Sequence, residues 1–146
     1  MSSPDQSLGE TYPGERLGLP ERGTGSVARW GRRILALFID WIASMLVASL
    51  ILGHNLGTGQ GGAGWRPIVT LLVFLAEATL LTSLLGGSFG QLATRIRVAR
   101  LDGRPVNLLQ ALARTALICL AVPPLIFNRD QRGLHDLAVG TVTLVR

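Results

Sequence analysis

The sequence predicts an all-α integral membrane protein, with two transmembrane helices, a third apolar segment that spans or re-enters, and a small cytoplasmic β element. Three observations predict this. Residues 34–52, ILALFIDWIASMLVASLIL, and 68–85, IVTLLVFLAEATLLTSLL, are apolar runs that carry one charge each. The stretch between them, GHNLGTGQGGAG at 53–64, has no formal charge. Arginines crowd the outer flanks, with Arg29, Arg32 and Arg33 before the first run and Arg95, Arg97, Arg100 and Arg104 after the second.

A helix rises about 1.5 Å per residue, so about twenty apolar residues cross the hydrocarbon core of a bilayer. Both runs reach that length. Trp65 suits the membrane–water boundary, and Pro67 is tolerated in a first helical turn. The basic flanks place both outer ends in the cytoplasm by the positive-inside rule, with the 53–65 loop outside. The expected location is a multi-pass plasma (cell) membrane protein with a cytoplasmic N-terminus.

Residues 1–28 are rich in Pro, Gly, Ser and Glu and carry two Arg against four acids. They read as a disordered polar tail, because such a composition buries too little apolar surface to offset chain entropy. Residues 29–146 form the membrane domain, with spans at about 34–52 and 68–85 and a third segment at about 106–127. They carry twelve Arg against five acids. The basic surplus thus flanks apolar runs, which points to orientation and contact with anionic lipid. No aromatic-interleaved basic face is present, so nucleic acid is not an expected partner. The expected partners are the lipid bilayer and either further copies of the chain or another membrane protein.

Residues 95–106, RIRVARLDGRPV, alternate apolar and basic side chains and contain an Asp102-Gly103 turn signal. They read as a cytoplasmic strand and turn, and the GTVTLV stretch near the C-terminus is a candidate strand to pair with it. Between them the third apolar segment is interrupted by Arg114 and by Pro123-Pro124. Both of its flanks carry arginine, which favours a return to the cytoplasm, with a full third span as the alternative.

Charges inside apolar runs are the informative residues, because each costs roughly 2.5–3.5 kcal/mol at a helix centre on insertion scales. Asp40 lies about 10 Å beyond Arg33 along one face of the first run. Glu77 lies about 15 Å from the cytoplasmic end of the second, and Arg114 about 12 Å into the third. Similar depth predicts one network of two carboxylates and a guanidinium. It is either an inert packing device or a site that handles protons or cations. The row Ala36, Asp40, Ser44, Ala48 puts small side chains beside the carboxylate, so this face of the first helix points at protein.

Other motifs carry no chemistry. Gly57, Gly59 and Gly62 show GxGxxG spacing without the strand–turn–helix setting of a nucleotide loop. His54 and His135 stand apart, and the single cysteine, Cys119, permits neither an internal disulfide nor a cysteine metal cluster. No cofactor, metal site or enzymatic activity is expected. No cleavage pattern marks a signal peptide, so the first run is read as an anchor.

These residues resemble the RDD family of membrane proteins, named for one arginine and two aspartates. The likeness runs from about Arg29 to Val145. RRILALFID supplies Arg33 and Asp40 as the first arginine and aspartate. GGSFGQLATRIRV is similar to the family's Gly-Thr-Gly-Lys turn and Arg-Val strand, with Ser88 in place of Thr and Gln91 in place of Lys. A role carried by that lysine does not transfer. LDGRPV, the intramembrane Arg114 and RGLHDLAVGTVTLV also look family-like. The second aspartate is assigned to Asp136, with Asp102 as the alternative. The resemblance implies transport of an unidentified ligand, with sodium–proton exchange attributed to some members. The alternative is a non-transporting accessory or scaffold protein that binds another membrane protein.

Overall fold

The computed structural model describes residues 12–52, 66–120 and 132–146. Two long helices dominate it: α1, Trp30–Ile51, and α2, Arg66–Leu85. At 1.5 Å per residue they measure about 33 and 30 Å, enough for a bilayer core. They pack side by side, yet only 22% of the apolar stretch of α1 and 28% of that of α2 is buried. A soluble core helix would hide most of this surface. Here Phe38, Met45, Leu46, Leu50, Leu72 and Leu84 point outward. The inward face of α1 is instead Arg33, Ala36, Asp40, Ser44 and Ala48, the row of small and charged residues expected to meet protein.

The other elements gather where α1 starts and α2 ends. Gly86 stops α2 in a left-handed conformation, φ 80°. Its N–H donates to the Thr82 carbonyl, and its own carbonyl accepts from Val98 N at 2.6 Å. A short helix follows, α3 at Phe89–Ala93, opened by a capping box. Ser88 Oγ accepts from Gln91 N, and Gln91 Oε1 accepts from Ser88 N. Then come β1, Ile96–Arg100, α4, Leu108–Cys119, α5, Leu134–Val139, and β2, Thr141–Val145. The strands pair antiparallel, with Ile96 opposite Val145 and Arg100 opposite Thr141.

The two faces of this sheet do different jobs. On one, Val142 and Leu144 pack with Val27, Leu17, Leu19 and Ala99. On the other, Thr141 and Thr143 point towards the buried charges described below. The alternation of strand side chains separates apolar from polar contacts.

One expectation is corrected here. Residues 12–28 are not a disordered tail. Glu15–Leu17 forms a 3-10 turn, and Val27 bridges to Leu144. Ala28 N donates to the Thr143 carbonyl, Gly25 N to that of Val145, and Val145 N to that of Ser26. A few apolar side chains, Leu17, Leu19 and Val27, suffice because the sheet offers both an apolar face and free backbone groups.

α4 alone measures about 18 Å, too short to cross a bilayer. The rest of the third apolar segment, including Pro123-Pro124, lies outside the described residues. So do the glycine-rich loop, His54 and residues 1–11.

Candidate functional site

The charges buried in the fold form two groups rather than the single network expected. The first centres on Asp136, on α5, which is fully buried. Arg114 Nε, from α4, donates to its Oδ1 at 2.8 Å. Thr141 Oγ1 donates to the same oxygen and Thr143 Oγ1 to Oδ2, both at 3.0 Å. Arg33 Nη1, from α1, stands 3.5 Å from Oδ2. Arg33 also donates from Nε to the Ala28 carbonyl at 3.0 Å and from Nη2 to the Thr143 carbonyl at 3.4 Å. Burial by itself raises an aspartate pKa. The positive charge of Arg114 and, less strongly, that of Arg33 oppose this and hold Asp136 well below the usual carboxylate range.

Arg132 closes the cluster from behind. Its Nε donates to the Thr141 carbonyl at 2.9 Å and its Nη2 to the Asp136 carbonyl at 3.4 Å. One carboxylate therefore joins α1, α4, α5 and β2. Asp102, the other candidate for the second aspartate, sits exposed in the turn after β1, where it binds Arg104 N and the Arg100 side chain.

The second group lies further along the two long helices and contains two carboxylates that form no ion pair with an arginine among the described residues. Asp40 accepts from Ser88 Oγ at 2.6 Å and from Gly90 N at 2.5 Å. Glu77 Oε1 accepts from Phe89 N at 2.7 Å. The two acids thus bind adjacent N–H groups in the first turn of α3, which has no preceding turn to satisfy them. Gly90 is required for this approach, because a Cβ there would lie 2.0 Å from the Ala36 carbonyl oxygen and 2.9 Å from Asp40 Cγ.

Glu77 also borders a cavity of about 450 Å³ between α1 and α2, floored by Phe89 and walled by Val47, Val73 and Leu81. Glu77 Oε2 and Ser44 Oγ are buried there with no hydrogen-bond partner among the described residues.

The expected Asp40–Glu77–Arg114 network is therefore not formed, since Arg114 pairs with Asp136 and no ion pair joins it to Asp40 or Glu77 among the described residues. Depth estimated from segment ends misled, because α4 begins under the sheet and its arginine finds a nearer acid on α5. Arg33 likewise turns to Asp136 rather than along α1 to Asp40. Sequence reasoning missed Thr141, Thr143, Arg132, Ser88 and Gly90. Two signals were available: threonines two apart in a strand share a face, and Ser-x-x-Gln is a capping box. Gln91 stands where the resemblance implies a lysine, and its side-chain oxygen closes that box, a task an ammonium group cannot perform.

Residues 27–140 match the sequence model described as the RDD family. The chain belongs to the RDD family. The family is membrane-associated, in keeping with the outward apolar faces of α1 and α2. No curated protein and no solved structure matches the chain. Of the residues carried over from the RDD resemblance, Arg33 and Asp136 meet directly, and Arg114 joins them. Asp40 belongs to the second group. Among the described residues, no cluster of three or more His, Cys, Asp or Glu side chains is placed to hold a metal ion.

Proposed function

We propose that this RDD protein is a multi-pass plasma-membrane protein with a cytoplasmic N-terminus. It takes part, without catalysis, in moving an ion or small solute, and Glu77 is the residue that changes charge. In this reading α1 and α2 cross the bilayer. The Asp136 cluster locks their cytoplasmic end; α4 starts from that end, and the chain is back at it at Arg132. Supporting that return, Val106 packs against Val98 of β1, and Arg132 binds β2, the partner strand of β1.

The observation that carries the proposal is the Glu77 carboxylate. One oxygen is fixed by Phe89 N, and the other is buried, without a hydrogen-bond partner among the described residues, at the wall of a cavity whose other lining is apolar except for Ser44. Arg33 and Arg114 are committed to Asp136, and among the described residues no ion pair is formed with Glu77. An intramembrane carboxylate in that position favours uptake of a proton or a small cation. Two long helices cannot enclose a pathway, and Leu46 and Val47 at the cavity rim are exposed. A second copy or another membrane protein would complete it. The same open rim also favours the accessory reading, in which a partner helix fills the cavity and nothing is transported.

The test is reconstitution of the full chain in proteoliposomes under a pH gradient, with an entrapped pH-sensitive dye. The expected result is proton flux above that of empty liposomes, lost in Glu77→Gln although that variant stays monodisperse. Equal flux in the two proteins, or none above background, overturns the transport reading in favour of the accessory one.

A further inference from the structure

The end of the molecule that carries the sheet has a second concavity, away from Glu77. A cleft of about 500 Å³ lies between the last turn of α2 and the strand and turn at 97–106. One side is cationic, with Arg97, Arg100, Arg104 and Arg146 on its rim. Arg100 is paired with Asp102. No acidic side chain pairs with Arg97, Arg104 or Arg146 among the described residues, and all three are exposed. The other side is apolar, formed by Leu84 and Leu85. Leu84 is 75% exposed and continues the outward apolar face of α2. Thr82 also lines it, and its buried hydroxyl has no hydrogen-bond partner among the described residues.

A cationic rim, an apolar wall continuous with a bilayer-length helix and an unpartnered hydroxyl make an amphiphilic site. Guanidinium groups recognise phosphate oxygens through paired N–H donors. The level of the cleft, at the end of α2, is where phospholipid phosphates lie beside a spanning helix. A soluble phosphate would use the arginines and leave the leucine wall bare, whereas a phospholipid uses both.

We propose that this cleft binds one anionic phospholipid, with its phosphate between Arg97 and Arg104 and its acyl chain along Leu84 and the flank of α2. The bound lipid ties the strand-and-turn region to the end of α2. It draws the positive charge of the sheet into a defined contact rather than a diffuse attraction to the membrane surface.

The experiment is native mass spectrometry of the full chain in detergent, titrated with phosphatidylglycerol or phosphatidylcholine, with inorganic phosphate as competitor. Wild type is expected to retain one phosphatidylglycerol and to prefer it over phosphatidylcholine. Arg97→Gln/Arg104→Gln removes two exposed guanidiniums and is expected to weaken phosphatidylglycerol about thirtyfold. Arg29→Gln/Arg32→Gln removes the same charge elsewhere and is expected to leave binding unchanged. Leu84→Glu, which puts an acid on the apolar wall, is expected to weaken the lipid even if the double arginine variant fails to fold. Equal binding of the two lipids, equal loss in the Arg29/Arg32 control, or no loss in Leu84→Glu overturns the site. Displacement of the lipid by low millimolar inorganic phosphate assigns the cleft to free phosphate and overturns the lipid.

Discussion

Replacing Asp136 with asparagine keeps its size and removes its charge. Arg114 and Arg33 then face each other in the interior without a counter-ion. Breaking a buried ion pair from one side costs about 3–5 kcal/mol, so Asp136→Asn is expected to lower the melting temperature of the purified protein sharply. Asp136→Asn/Arg114→Met should recover part of the loss, because it removes a stranded charge as well. A double variant no better than the single one would show that Arg114 is not stranded. The pH dependence follows from the same carboxylate. Its pKa is depressed in the folded state, so its stabilisation is complete above the ordinary aspartate value of about 3.9 and is lost as the pH falls below it. The melting difference between wild type and Asp136→Asn should therefore be present at pH 5 and shrink in stronger acid. At this scale the sequence showed which residues are costly to bury but not which of them meet. Arg33, Asp40, Glu77, Arg114 and Asp136 stand out by charge alone, whereas their partners depend on how α5 and β2 fold back.

α3 has only five residues, yet two carboxylates from different helices end on its first turn. Its position depends on Gly90, so Gly90→Ala is expected to push α3 away from α1 and break the Asp40 contact. Overpacking costs about 1–3 kcal/mol and a stranded buried polar group about as much again. The check is the melting temperature of Gly90→Ala beside Gly31→Ala, a glycine with open space at its Cβ position, where little change is expected. Equal effects would mean that the close approach of α3 to α1 does not matter. α1 and α2 were legible in the sequence because their apolar runs are long and their breaks are marked by Gly53 and Gly86. Strand character at 95–106 and at 141–145 was visible in the alternation of side chains. α3 and α5 were not, since helices of five and six residues carry no periodicity and owe their existence to caps and contacts. The fold of residues 12–28 was hidden for a similar reason, because its apolar residues are few and matter only once the sheet is there.

At the scale of the whole molecule, the sheet, the Asp136 cluster and the arginine-rimmed cleft gather at one end of α1 and α2. The opposite end carries the connection between them. Single cysteines at positions 58 and 101, placed in a Cys119→Ser background, should separate the two ends in intact cells. An impermeant thiol reagent is expected to label position 58 directly and position 101 only after permeabilisation, and the reverse pattern would invert the proposed orientation. The Arg33–Thr143 bond joins residues 110 positions apart. Synthesis runs from the N-terminus, so α1 is made long before the acceptors that neutralise its arginine exist. Until then Arg33 is a cation at the start of an apolar helix without the partners it has in the finished fold. Its capture can follow only once residues 136 and 143 have been made, so the charge that opens α1 is closed by α5 and β2.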